Sequence, residues 1–217
     1  MGKFFDSEGP LMLFLNKVAD LIWLNILMIV CCIPIITAGA SITAMYTITI
    51  KMVNKEEGYI TKGFFKAFKE NFKQATIIWI ITLLAAVFFY VDYRIVFYSG
   101  VAFPKVFAIL FFAILLIVYS TYLYIFPVLA RYENTTKNVF KNSFLLSLSN
   151  FPKTILIILI QVIPLVALYL SQAIIPIVLL IGGSLVAYIA SMIFVTIFKK
   201  LEKSKEEDSS EESNVEE

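Results

Sequence analysis

The stretch that decides the fold is residues 21–50, LIWLNILMIVCCIPIITAGASITAMYTITI, which contains no charged side chain. A membrane-spanning helix needs about 20 mostly apolar residues, and a soluble domain rarely keeps so long an uncharged run out of water. Four more apolar blocks follow, at residues 75–91, 106–130, 154–170 and 173–198, and Pro127 is expected to interrupt the second of them near its end. The sequence therefore predicts an all-α fold, a polytopic transmembrane helical bundle.

The number of membrane crossings depends on how residues 21–53 are divided. Pro34 removes a backbone donor and stops or kinks a helix, and Thr37, Gly39 and Ser41 form a turn and an N-cap. This pattern predicts helices over residues 21–33 and 42–53, and about six membrane helices in total. The alternative is one long kinked helix over residues 21–53, which leaves five. Residues 6–20 suit a short helix at the membrane interface.

The charges indicate the orientation. Residues 1–198 carry 14 Lys/Arg and 8 Asp/Glu, whereas residues 199–217 carry 4 Lys and 8 acids. The basic segments 54–74 and 131–153 are expected on the cytoplasmic side, and the loop 92–105, with only Arg94 and Lys105, outside. Six crossings then place both termini in the cytoplasm. The Glu- and Ser-rich segment 199–217 is predicted to be a disordered acidic cytoplasmic tail.

A weak internal repeat indicates a single membrane domain over residues 1–198. Phe64, Phe65, Phe68 and Phe72 recur at helical spacing opposite lysines, which predicts a basic amphipathic helix on anionic lipid headgroups. A second basic amphipathic helix is expected within residues 131–153. Each precedes an Asn-Phe pair, Asn71-Phe72 or Asn150-Phe151, that is expected to open a membrane helix. The repeat covers about residues 37–91 and 106–170.

Several kinds of chemistry are disfavoured. The chain has no histidine, and its two cysteines, Cys31 and Cys32, are adjacent in an apolar run without a metal-binding or redox spacing. No charged residue lies deep in a predicted span, which argues against an ion-coupled transporter. We find no nucleophile–base pair, carboxylate pair or phosphate-binding loop, so we expect no enzyme, catalytic residue, cofactor, metal or nucleic acid. A membrane enzyme acting on lipid or glycan is the least favoured alternative.

Two sets of polar residues are candidates for function. Asn25, Thr37 and Gly39 are the candidates for a solute path at a broken helix, although interhelical hydrogen bonding and packing are the default interpretation of these residues. Asn71, Arg131, Glu133 and Asn150 lie in the basic segments. The second set predicts a contact with a cytoplasmic or membrane partner, with an interfacial charge cluster as the alternative.

Several of these features together resemble the YesL family, small bacterial integral membrane proteins described as a domain of unknown function. The matching residues are Asn25, residues 34–40 (PIITAGA), 44–46 (AMY), 64–74 (FFKAFKENFKQ), 131–134 (RYEN), Asn142 and 150–152 (NFP). The resemblance covers nearly the whole chain up to Phe198, and the family offers no agreed catalytic or binding residues.

The resemblance implies a multi-pass protein of the bacterial cell membrane, because that is where the family's members reside. Its members often occur beside genes for carbohydrate import and breakdown. This implies an accessory role in carbohydrate uptake with an ABC-type importer, whose permease subunits would be the partner. The alternative is a stand-alone permease for a neutral small solute. Whether the protein forms a homo-oligomer is also left open.

Overall fold

A computed structural model of the protein describes residues 10–56, 58–98 and 105–215, and every regular element in these residues is helical. The α-helices are α1 (Pro10–Cys32), α2 (Ala38–Val53), α3 (Ile60–Tyr98), α4 (Lys105–Arg131), α5 (Thr136–Ser149), α6 (Phe151–Leu170), α7 (Ile175–Ile177) and α8 (Gly183–Val215). Six helical segments are long and apolar enough to cross a membrane. The all-α polytopic bundle is therefore confirmed, with six candidate spans.

The five-helix alternative is wrong because the chain reverses between α1 and α2. The α1 helix ends at Cys32, and a short 3-10 helix, Ile35–Thr37, leads into α2. The Ser41 hydroxyl donates to the carbonyl oxygen of Met28, 2.9 Å away, so the two helices pack side by side. The turn is shorter than predicted, since α2 begins at Ala38 and includes Gly39 and Ser41.

The centre of the bundle is α2. In its most apolar 18 residues 61% are buried, against 11–28% in the other five spans. Its small side chains explain this position, because they let neighbouring backbones approach closely. Ala40 and Ala44 are completely buried, and so are Ser41 and Thr43.

The α3 helix corrects two predictions. The amphipathic segment 54–74 and the membrane helix 75–91 were expected to be separate, yet residues 60–74 and the whole of 75–91 belong to one helix of 39 residues. Consequently Asn71-Phe72 lies inside a helix and does not open one. The physical reason is that residues 64–98 contain no proline or glycine. At about 1.5 Å per residue this helix is about 58 Å long, nearly twice the thickness of a bilayer core.

Helix α1 also joins two segments that were expected to be separate. The expected interfacial helix, residues 6–20, forms the first half of α1 from Pro10 onward and continues into the first membrane helix. Residues 6–9 lie outside the described residues.

The second basic segment does form its own helix, α5. The Thr135 side chain caps it by accepting from the backbone N–H of Asn138, 3.4 Å away. The chain then turns at Asn150, and α6 opens with Phe151 and Pro152. The predicted interruption of the fourth membrane helix at Pro127 is wrong, because α4 continues through it to Arg131.

The last span is irregular at its start. A 3-10 helix, Gln172–Ile174, precedes α7, and a π-helix, Val178–Gly182, joins α7 to α8. Helix α8 continues to Val215, so most of the segment predicted to be disordered has helical backbone. Pairs four residues apart, such as Lys203 and Glu207 at 3.5 Å, favour helix there. The division at residue 198 and the internal repeat stay predictions.

The helix order places the inter-helix segments at two ends of the bundle. One end, which we call the charged end, contains residues 54–56, 58–59 and 132–150, the start of α1 and the end of α8. Residues 33–37 and 171–174 and the boundary between α3 and α4 lie at the other ends of their helices, which we call the opposite end. The turn at 33–37 reaches only to the middle of α3, since the Trp79 indole N–H donates to the carbonyl oxygen of Ile35 at 2.8 Å. Residues 99–104 of the predicted outer loop lie outside the described residues.

Candidate functional site

Asn25 provides hydrogen-bond partners for backbone groups at the π-helix in the last span. Its side-chain NH₂ donates to the carbonyl oxygen of Leu179 at 2.7 Å, and its side-chain oxygen accepts from the N–H of Ser184 at 2.9 Å. A π-turn frees backbone groups that an α-helix would pair, and in a bilayer such groups need partners. Asn25 is only 1% exposed, so its amide is committed to holding α1 against α8.

Thr37 and Gly39 also serve the packing around the first turn. The Thr37 hydroxyl lies 2.7 Å from the carbonyl oxygen of Pro34 and within hydrogen-bond distance of that of Cys31. Gly39 lies against α3, where an added Cβ would be 2.6 Å from both the carbonyl oxygen of Ala75 and the Cβ of Trp79. The structure therefore does not gather Asn25, Thr37 and Gly39 around one opening.

A cavity of about 380 Å³ lies instead between α2, α4, α6 and α8, and we call it the vestibule. Its polar lining consists of Tyr46, Tyr119, Tyr122 and Gln161, and Gly182 and Gly183 border it from the last span. The Tyr119 hydroxyl donates to the Gln161 side-chain oxygen at 3.2 Å. No charged residue lines the vestibule.

At the charged end, Arg131 and Glu202 connect α4 to α8. The Arg131 guanidinium lies 3.2 Å from a Glu202 carboxylate oxygen, and the Tyr132 hydroxyl donates to the same oxygen at 3.1 Å. Burial raises the pKa of the Tyr132 phenol and the Glu202 carboxylate raises it further, so the phenol stays protonated. The two charged side chains are 34% and 36% exposed, which leaves them accessible from solution.

The other predicted partner residues are spread over this end. Glu133 is exposed beside Arg131. Asn71 and Asn150 are half-buried, and each donates its side-chain amide to the carbonyl oxygen four residues earlier, Ala67 at 3.0 Å and Leu146 at 3.2 Å. These equivalent bonds are one point of likeness between the two halves of the chain.

One contact at this end was not predicted from the sequence. The Gln74 side chain of α3 donates to the carbonyl oxygen of Asn134 at 2.7 Å and fixes the segment between α4 and α5. Glu202 was likewise missed, because its acidic surroundings made it part of a tail. The polar run RYEN at residues 131–134 was the available signal for these contacts, because polar side chains at the end of a membrane helix need hydrogen-bond partners elsewhere in the chain.

A groove of about 320 Å³ lies between α5 and α8 at the same end. Its polar lining consists of Asn142, Ser149, Asn150, Lys200 and Ser204, and its apolar lining includes Leu146. Among residues 10–56, 58–98 and 105–215 no group of three or more Cys, Asp or Glu side chains is placed to hold a metal ion.

Residues 21–93 match the model of a family described as a protein of unknown function, DUF624. The match covers α2 and most of α1 and α3, and it includes Asn25, Thr37, Gly39 and Asn71 but not Arg131, Glu133 or Asn150. No curated protein and no solved structure matches the chain. The chain is therefore similar over these three helices to a family whose function is unknown.

Proposed function

We propose that the protein is a non-enzymatic integral membrane protein that binds a partner at its charged end, as an accessory to carbohydrate uptake with an ABC-type importer. The observation that carries this proposal is the separation of charge between the two ends of the bundle. Exposed cations of the described residues at the charged end include Lys51, Lys55, Lys62, Lys66, Lys69, Lys73, Arg131, Lys137, Lys141, Lys199, Lys200 and Lys203. At the opposite end the sequence places only Arg94 and Lys105.

This separation supports the predicted orientation. Cytoplasmic loops carry an excess of Lys and Arg, so the charged end would be the cytoplasmic one, with both termini on that side. Part of the basic surface would lie on anionic lipid headgroups of the bacterial cell membrane. The remainder would be available to a protein partner.

Helices α3 and α8 both bring polar surface to the charged end. The polar part of α3, residues 60–74, packs along α2, since Cβ atoms added at Gly63 and Gly39 would meet Ile48 and Ala75, and its lysines are exposed. Helix α8 continues past its apolar residues to Val215, so its charged last part lies at this end. Such exposed charge favours contact with a soluble or membrane-anchored partner.

Hydrogen bonds and an ion pair within the protein hold this surface in one arrangement. Arg131 and Tyr132 bind Glu202, and Gln74 binds the backbone of Asn134. Partner surfaces gain affinity when their side chains are already positioned, because less conformational entropy is lost on binding. We place the contact around Arg131 and Glu133, with Asn71 and Asn150 nearby.

The identity of the partner comes from the resemblance to the YesL family, to which we infer that the chain belongs. The gene neighbours of that family favour permease subunits of a carbohydrate importer.

The test is purification from the native host, grown on several carbohydrates, after crosslinking and in mild detergent. We expect importer subunits to be recovered in stoichiometric amount with the wild-type protein and to be lost with Arg131→Ala and Asn71→Ala. Arg94→Ala is the matched control, because this arginine lies at the opposite end of the bundle and stacks on Tyr98 at 5.0 Å. Undiminished binding and uptake with both test variants would refute the proposal.

A second candidate is a stand-alone permease for a neutral small solute. The vestibule is the observation that favours it, because its volume of about 380 Å³ lies among four of the membrane helices. Flux into liposomes that contain the purified protein is the test. Uptake of no sugar in a panel above the level of empty vesicles would exclude this candidate.

A further inference from the structure

We propose that the vestibule is a binding site for an uncharged, hydroxylated small molecule of up to monosaccharide size, held by Tyr46, Tyr122 and Gln161. This inference supplies the site that the permease candidate would require. It does not depend on transport, and it is independent of partner binding at the charged end.

The first support is a hydroxyl without a protein partner on a side chain that is otherwise buried. Tyr46 is 6% exposed and lines the vestibule, yet its hydroxyl makes no hydrogen bond among the described residues. Its ring packs edge-on against Phe194, with centroids 6.0 Å apart, so the side chain is fixed in place. A buried phenol normally finds a partner, and the open space beside it is where a ligand would provide one.

The second support is the convergence of other polar groups on the same space. Gln161 accepts from Tyr119 through its side-chain oxygen, which leaves its NH₂ group free to donate. The Tyr122 hydroxyl also lacks a partner among the described residues, and its ring stacks on Tyr119 with centroids 6.3 Å apart. Phenol hydroxyls both donate and accept, as alcohol groups on a ligand do.

The lining also defines the charge of the ligand. No Lys, Arg, Asp or Glu borders the vestibule, so a charged molecule would lose its hydration without gaining an opposite charge. Aromatic and aliphatic side chains supply the rest of the wall, including Phe126 and Met45. Small-molecule sites of roughly 300–1,000 Å³ typically combine such a wall with a few placed polar groups.

The last span forms one wall of the space. The π-helix Val178–Gly182 borders it, and Gly182 and Gly183 contribute backbone atoms only. Asn25 holds Gly183 from the other side, where an added Cβ would be 2.8 Å from its side-chain oxygen. The irregular turn of the last span is thus fixed by a contact outside the vestibule.

The test is equilibrium binding of D-glucose, D-xylose and myo-inositol to the purified full-length protein, with D-glucuronate as the charged counterpart of glucose. We expect saturable binding of at least one uncharged compound and at least tenfold weaker binding of glucuronate. Tyr46→Phe and Gln161→Ala should each weaken binding at least tenfold. Tyr169→Phe and Gln172→Ala are matched controls, because neither residue lines the vestibule.

A structural role would give a different result. Because the Tyr46 hydroxyl has no partner among the described residues, Tyr46→Phe should leave the melting temperature without sugar unchanged and partner recovery intact. Absence of saturable binding by the three uncharged compounds would overturn the inference. Binding that survives both test variants, or that is equal for glucuronate, would overturn it as well.

Discussion

The side-chain oxygen of Asn25 accepts a hydrogen bond from the backbone N–H of Ser184 across 2.9 Å, although 159 residues separate them in the chain. The Ser184 hydroxyl returns the contact by donating to the carbonyl oxygen of Leu21 at 2.7 Å. The first and last membrane helices are therefore joined at the point where the last one departs from α-helical geometry.

Replacing Asn25 by alanine should destabilise the protein by about 1–3 kcal/mol, because it leaves the carbonyl of Leu179 and the N–H of Ser184 buried without partners. Thermal unfolding in detergent measures this loss. Thr196→Ala is the control, since its hydroxyl bonds only within its own helix, to the carbonyl of Met192 at 2.9 Å. Equal melting temperatures for the two variants would show that the Asn25 contacts contribute little.

Gly39→Ala should destabilise the bundle by about 1–3 kcal/mol, because the new methyl group would overlap the backbone of α3 and the base of Trp79. Gly58→Ala is a close control, since nothing lies within 4 Å of a Cβ added there. Chemical or thermal denaturation of the two variants should separate them clearly. A Gly39→Ala protein as stable as Gly58→Ala would contradict the observed packing of α2 on α3.

The Arg131–Glu202 pair should matter more for partner binding than for stability. Both side chains are about one-third exposed, and exposed ion pairs contribute about 0–1 kcal/mol. Arg131→Ala should therefore leave the melting temperature nearly unchanged while importer subunits are lost from the purified material. A large fall in melting temperature would instead assign the pair a structural role.

The orientation can be tested by cysteine labelling in a background with Cys31→Ala and Cys32→Ala. Ser171→Cys, at the end opposite the charged end, should react with an impermeant maleimide in intact cells. Gly58→Cys should react only after the membrane is opened. The reverse pattern would place the charged end outside the cell and remove the basis for a cytoplasmic partner.

The sequence predicted the membrane class and the helix order because long uncharged runs are costly to keep in contact with water. It did not predict the continuity of α3, since the change from polar to apolar composition at residue 75 resembles a helix boundary. Charge composition indicates where a helix leaves the membrane, whereas only backbone-breaking residues indicate where it ends.

The candidate site was predicted unevenly for a related reason. Asn25 was recognised as a polar residue that is costly to bury in a membrane, but its partners at 179 and 184 lie at a π-helix that no residue pattern predicted. Tyr46 and Tyr122 belong to an aromatic-rich chain in which most rings pack or face lipid. Only their position around a shared cavity distinguishes them.

The most direct test of the central claim is site-specific photo-crosslinking in native membranes. A photoreactive amino acid at position 133 would probe the exposed surface beside the Arg131–Glu202 pair, and one at position 94 would probe the opposite end. The account predicts a single abundant crosslink to an importer subunit from position 133 and none from position 94. Crosslinks to that subunit from position 94 alone, or from neither position, would contradict partner binding at the charged end.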